Sequence, residues 1–167
     1  MMLYVSIAER VKAGAELAAS TELALDAFVT THGPIVPGFG HRFHAADPRA
    51  PRLLALIDLA SSSEVDRRYA TIARSVEASL AIRTGKILPM NIDGATAAVY
   101  AALGFAPPLG RGLFILSRAV GILAHAWEQA GEGARIKGPM PPSIAYRYAG
   151  VPPRSPPRTN ASERNLA

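Results

Sequence analysis

Between residues 33 and 51 the chain carries prolines at 34, 37, 48 and 51 and glycines at 33, 38 and 40, a density of breakers that forbids regular structure there. On either side the apolar residues recur at helical spacing. No stretch alternates apolar and polar residues over the length of a strand, so the expected fold class is all-α. Leu3, Ile7, Val11 and Ala15 share one face and predict a first helix over Leu3–Leu17. Thr21 reads as the cap of a second helix running to about Thr31, where Gly33 and Pro34 stop it. Leu53, Leu54, Leu56 and Ile57 resume a helix over residues 52–59, and the serines at 61–63 interrupt it. A long helix is then expected from about Glu64 to Ile82, with Tyr69, Ile72, Ala73, Val76 and Leu80 inward. Asn91 can cap a helix through Leu103 that Gly104, Pro107 and Pro108 close, and a last helix is expected over Leu109–Gln129.

With 167 residues, 49% of them hydrophobic, the chain can bury a core as one domain or as one domain and part of another. It shows no internal repeat. The absence of cysteine excludes disulfides, thiolate metal sites and cysteine nucleophiles, and agrees with a cytoplasmic location. Arg, Glu or His interrupt the apolar stretches short of the roughly 20 residues of a bilayer span, so no membrane is expected. The net charge of +5 comes mostly from scattered arginines, with no basic run interleaved with aromatics, and nucleic-acid binding is not expected. Arginine suits bidentate capture of carboxylates or phosphates on small anions.

The segment Gly38-Phe39-Gly40-His41-Arg42-Phe43-His44-Ala45-Ala46-Asp47-Pro48-Arg49 places histidines, a carboxylate and arginines on a loop, where functional groups concentrate. Three readings stay open for it. The histidines bond to backbone in a rigid turn; or His41, His44 and Asp47 hold a metal; or His41 donates to a carbonyl while Arg49 clamps a carboxylate. Asp93 falls in the first turn of its predicted helix, where the dipole favours a carboxylate, and Lys86 is the only lysine between residues 12 and 137. Arg111, Arg118 and His125 lie seven residues apart on one face of the last helix, either as a solvated stripe or as the polar edge of a buried helix. Arg118 is the best anion ligand among them.

Gly38-Phe39-Gly40-His41-Arg42, Asp47-Pro48-Arg49, Asn91-Ile92-Asp93-Gly94 and Ser117-Arg118-Ala119-Val120-Gly121-Ile122-Leu123-Ala124-His125 occur together in this order. In order and spacing they resemble the citrate synthase superfamily over roughly residues 1–150. Asn-Ile-Asp-Gly looks more like its citryl-CoA lyase branch, including the C-terminal part of ATP-citrate lyase. The resemblance implies a citrate synthase-like small domain over residues 1–105 and a C-terminal segment of the large domain over 106–150; the prolines and low apolar content of 151–167 predict a tail that is disordered or wraps a neighbour.

By that resemblance, His41 polarises the ketone of an oxaloacetate-like acid, Asp93 takes the α-proton of acetyl-CoA, and Arg49 and Arg118 bind carboxylates. The main chain of Val36, Pro37, Gly38, Phe39 and Gly40, with Lys86 and Asn91, would contact coenzyme A. The implied activity makes or cleaves the carbon–carbon bond between acetyl-CoA and oxaloacetate, with citryl-CoA as the cleaved thioester. The CoA thioester is co-substrate, no cofactor is tightly bound, no metal is needed, and the full-length form is a homodimer.

Three departures stand out. The family's first catalytic histidine has no counterpart, since no histidine precedes His32; the chain is therefore expected to be truncated or degenerate, and inactive alone. His41 and Arg49 are one residue closer than in ordinary citrate synthases. The segment Arg135–Pro142 replaces the family's arginine-proline motif, and no role is assigned to it. The alternatives are a non-catalytic acyl-CoA or dicarboxylate-binding homologue and a histidine metal-binding interaction module.

Overall fold

The structure, a computed structural model, describes residues 1–41, 45–133, 143 and 150–155. The chain divides into Met1–His125 and Ala126–Ala167. Among the described residues lie the helices α1 (Met2–Lys12), α2 (Leu17–His32), α3 (Arg49–Asp58), α4 (Arg68–Thr84), α5 (Ile92–Ala102) and α6 (Leu109–Gly131). The only β-type pairing among them is an isolated antiparallel bridge between Phe39 and Met90. The fold is all-α, as the helical periodicity requires.

The core of the first unit forms where α1, α2 and α4 meet and where α5 lies against α3 and α4. Ile7, Leu25, Ile72 and Val76 are its largest fully buried apolar side chains. From α5 the core receives alanines, Ala95, Ala98 and Ala102, whose small side chains let neighbouring helices approach closely. That close approach brings the start of α5 down onto the Gly/Pro-rich loop.

Element boundaries differ from the sequence reading for local reasons. The chain leaves α1 at Lys12 because Gly14, at φ 92°, turns it, although Ala15 continues the helical spacing. Glu16, not Thr21, caps α2: its carboxylate accepts from Ala18 N at 2.9 Å and Ala19 N at 2.7 Å. Thr21 lies buried one turn further in, donating to the Leu17 carbonyl at 2.8 Å and sharing a hydrogen bond with Ser75 Oγ of α4 at 2.9 Å.

Helix α3 begins at Arg49, before the expected 52, because the first turn needs no N–H from Pro51. Helix α4 begins at Arg68, after the expected 64. Asp66 accounts for that delay, donating its N–H to the Ala102 carbonyl at 2.9 Å while its carboxylate accepts from Arg68 N at 3.1 Å. Gly85, left-handed at φ 65°, ends α4, and Asn91 caps α5 as its sequence indicates.

Helix α6 buries none of its residues. Leu109, Ile115, Leu116, Val120, Ile122, Leu123 and Trp127 are between 53% and 79% exposed along it. Its 23 residues and mean hydropathy of 1.2 are long and apolar enough to cross a membrane by length and composition, although Arg111, Arg118, His125 and Glu128 interrupt its apolar run. Arg118 near its middle argues against lipid, since a central charge costs roughly 2.5–3.5 kcal/mol to insert. From Ala126 onward the described residues comprise the end of α6, residues 132 and 133, and the separate stretches at 143 and 150–155. The tail expected to be disordered lies outside the described residues from 156, as does the segment Arg135–Pro142.

Ile7→Ala, at a side chain with no exposure, is expected to lower the unfolding free energy by about 2–5 kcal/mol in urea denaturation. Ile82→Ala, at an 83% exposed side chain, is expected to change it by no more than about 0.5 kcal/mol.

Candidate active site

Residues 36–41, 47–49 and 89–94 meet at one crossing. Phe39 faces Met90 across the antiparallel bridge, Gly40 donates its N–H to the Pro89 carbonyl at 2.7 Å, and Asn91 donates its N–H to the Gly38 carbonyl at 2.9 Å. The Asn91 side chain works at both ends. Its Nδ2 donates to the Gly40 carbonyl at 2.8 Å, and its Oδ1 caps α5 by accepting from Asp93 N at 2.9 Å and Gly94 N at 3.3 Å.

Two carboxylates complete the anchoring. Glu77 Oε1, from α4, accepts from Met90 N at 2.6 Å, and Asp47 Oδ2 accepts from Ile92 N at 2.9 Å. Every N–H from Met90 to Gly94 is therefore engaged within the protein, so the start of α5 is not an open anion site.

The crossing is tight enough to require glycine twice. A Cβ on Gly38, which sits at φ 99°, would stand 2.8 Å from Gly94 Cα. A Cβ on Gly94 would collide with the Gly38 carbonyl oxygen and come within 2.8 Å of Met90 Cγ. Both contacts are closer than packed atoms allow, and neither backbone can yield without opening the bridge.

Asp93, the residue expected to act as base, is exposed on the first turn of α5 and borders two cavities. One, of about 370 Å³, is also lined by Tyr4, Phe28, His32 and the chain from Val36 to Phe39. The other, of about 550 Å³, is lined by Pro37, Thr96, Tyr100, Arg111 and Phe114 among others. Periodicity alone could not nominate Tyr4, Phe28, His32 or Tyr100, because each sits on a helix and the helical spacing does not mark which of their faces borders the loop. The Phe28 and His32 rings stack at 4.5 Å between centroids, and His32 Nδ1 lies 3.3 Å from the Phe28 carbonyl.

His41 follows Gly40 directly, so its backbone is held beside Asn91, but it is not among the residues lining either cavity that Asp93 borders. His44 and Arg42 lie outside the described residues. Asp47, a ligand in the metal-binding reading of this loop, is committed elsewhere. Its side chain is fully buried, Oδ1 accepts from Arg49 N at 3.1 Å and Arg49 Nε at 2.9 Å, and Oδ2 accepts from Arg49 Nη2 at 2.9 Å as well as from Ile92 N. No group of three or more His, Cys, Asp or Glu could hold a metal ion among the described residues.

The hydrogen bonds from Arg49 and Ile92 hold the Asp47 carboxyl well below the usual carboxylate range, against the desolvation that opposes its charge. Arg49 in turn is held above the ordinary guanidinium value, first by its hydrogen bonds to Asp47 and then by the charges of Asp47 and Asp93. Asp93 is thus within electrostatic reach of Arg49. Arg118 rests its guanidinium 3.4 Å above the centre of the Phe114 ring, which lines the larger cavity, and donates from Nη1 to Ser117 Oγ at 3.3 Å. Lys86 is exposed in the turn after α4.

The chain is similar to several known proteins. The family described as citrate synthase, C-terminal domain, matches residues 8–140. A 2-methylcitrate synthase of Mycobacterium tuberculosis is 33% identical over 103 residues, 61% of this chain and 26% of that protein. A citrate synthase of Saccharolobus solfataricus is 38% identical over 116 residues, 66% of this chain and 30% of that protein. The solved structure of citryl-CoA lyase from Hydrogenobacter thermophilus superposes with a TM-score of 0.59 at 28% identity, covering 93% of this chain and 58% of that one. The chain therefore spans well under half the length of these curated relatives.

Gly94→Ala is expected to lower stability by about 1–3 kcal/mol in urea denaturation, whereas Gly121→Ala, where a Cβ meets nothing within 4 Å, should cause no loss. For Asp47 the folded-state depression means that its stabilising contribution is present above the ordinary value of 3.8 and is lost as pH falls below it. Asp47→Asn should therefore be less stable than the parent at neutral pH, with the difference shrinking below about pH 4 in pH-resolved melting.

Proposed function

This chain belongs to the citrate synthase family, and we propose that it carries the base-bearing half of a site that makes or cleaves the carbon–carbon bond between acetyl-CoA and oxaloacetate. The α-proton of a thioester is weakly acidic, so its removal needs a carboxylate fixed against the methyl group and a donor for the enolate oxygen. Asp93 is the proposed base. The observation that carries the reading is that its carboxylate borders two cavities on a helix start anchored by every N–H from Met90 to Gly94.

In the proposed cycle Asp93 takes a methyl proton from acetyl-CoA, the resulting carbon nucleophile attacks the oxaloacetate ketone, and His41 donates to the ketone oxygen as it becomes an alkoxide. Citryl-CoA is the product of that direction. In the reverse direction the alkoxide collapses, the bond breaks, and Asp93 returns the proton. Arg49 and Arg118 would bind the acid's carboxylates, Arg49 through Nη1 because its Nε and Nη2 are paired with Asp47. Backbone of Val36–Gly40, with Lys86, would meet the coenzyme, while Asn91 is already engaged at both ends and serves by holding the loop.

No histidine precedes His32, so the enolate donor implied by the family is not supplied by residues 1–31. Loss of one such donor costs on the order of 10²–10³ in rate. Turnover by the chain alone is accordingly expected to be weak, and a homodimer or a further segment would complete the site.

The direct test follows deuterium exchange into the methyl group of acetyl-CoA, with acetyl-CoA and oxaloacetate binding measured in parallel. Asp93→Asn should slow exchange by roughly 10²–10⁴-fold while leaving acetyl-CoA affinity within a few-fold. Binding without any Asp93-dependent exchange would favour the non-catalytic acyl-CoA-binding homologue. Binding of neither ligand would refute both readings.

A further inference from the structure

Asp47 uses both oxygens at once on two pieces of the site that are far apart in sequence. One face of the carboxylate grips Arg49 through Nε and Nη2 in a two-pronged pair, leaving Nη1 without a hydrogen bond to another described residue. The other contact takes Ile92 N–H, the residue immediately before Asp93. Its side chain is fully buried whereas that of Arg49 is 55% exposed, so the pair presents a fixed, outward-facing cation on a buried anchor. Neither the metal reading nor the carboxylate-clamp reading of this loop gives Asp47 such a task.

We propose that Asp47 is a positioning residue that sets Arg49 and Asp93 relative to one another, so that the carboxylate of the 2-oxo acid and the methyl group of the thioester are held in register. The assignment rests on the function proposed above. Rotation of Arg49 about its long side chain would otherwise scatter its donors, and a bidentate partner removes that freedom before the ligand arrives. The same carboxylate fixes the backbone at Ile92, and with it the first turn that carries Asp93. Because two neighbouring tasks share one group, its loss should affect both ligands, whereas loss of Arg49 should affect only the acid.

Calorimetric titration of the 167-residue chain with oxaloacetate and, separately, with acetyl-CoA tests this. Arg49→Gln is expected to weaken oxaloacetate about 10-fold and leave acetyl-CoA within about twofold. Asp47→Asn should weaken oxaloacetate by a similar factor and acetyl-CoA about 3-fold or more. The double variant should bind oxaloacetate no more weakly than Arg49→Gln alone, because the two residues act as a unit. Asp47→Glu, which keeps the charge, should recover oxaloacetate binding to within about 3-fold of the parent, and it serves as the decisive variant if Asp47→Asn does not fold.

Independent, multiplying losses in the double variant would overturn the assignment, as would full acetyl-CoA affinity in a folded Asp47→Asn protein or no recovery in a folded Asp47→Glu protein. A parent chain that binds neither ligand overturns the functional reading along with it. Binding by the parent with Asp47→Asn unaffected overturns this assignment alone.

Discussion

The anchoring of five consecutive backbone N–H groups, Met90 through Gly94, is the constraint on which the rest of the molecule turns. Acceptors arrive from three places: Glu77 on α4, the Gly38 carbonyl and the Asp47 carboxylate in the loop, and Asn91 within the segment itself. A buried N–H without a partner costs about 1–3 kcal/mol, so each acceptor is a condition on the conformation rather than an ornament of it. Satisfying them together leaves Asp93 at one position on a rigid helix start, and it leaves the loop from Val36 to Gly40 at one height above that start. The paired glycines at 38 and 94 are a consequence, because the backbones come too close for any side chain between them.

Much of this was legible in the residues, and the limit of legibility follows chain separation. Helix α5 could be read at both ends, since Asn91 caps from the adjacent position and the Gly104 and proline breakers lie just beyond. The α1–α2 boundary was harder. Val11 and Ala15 keep a helical spacing across Gly14, and glutamate is a less favoured cap than threonine, so the residues alone point to Thr21 rather than Glu16. Asp47 shows the same limit within the site: with His41 and His44 nearby it has ligand-like spacing, but its second partner, Ile92 N, lies 45 residues away. Glu77 gave no signal at all, because nothing local marks a carboxylate on α4 as the acceptor for Met90, 13 residues later. Motif order makes up part of that deficit, because it groups His41, Asp47, Arg49 and Asp93 across the gaps in sequence between them.

Helix α6 stands in contrast to the anchored half. Its apolar residues face out along most of its length, and Arg118 sits over Phe114 rather than over a carboxylate. Water-exposed Leu, Ile, Val and Trp in such number form an apolar surface that the described residues do not cover. Two physical regimes thus coexist: a crossing whose polar groups are satisfied internally and a helix whose apolar groups are not covered. The chemistry proposed for the chain is assigned to the first, and Arg111 and Phe114 of the second line the larger cavity that Asp93 borders.

The central claim, that residues 90–94 form an internally bonded platform for Asp93, is tested most directly by residue-resolved amide hydrogen exchange on the unliganded protein. If the account is right, the amides from Met90 to Gly94 exchange as slowly as those of Ile72 and Val76 in the core of α4, opening only with global unfolding. Exchange of those five amides at the rate of an open loop, with α4 still protected, would contradict it.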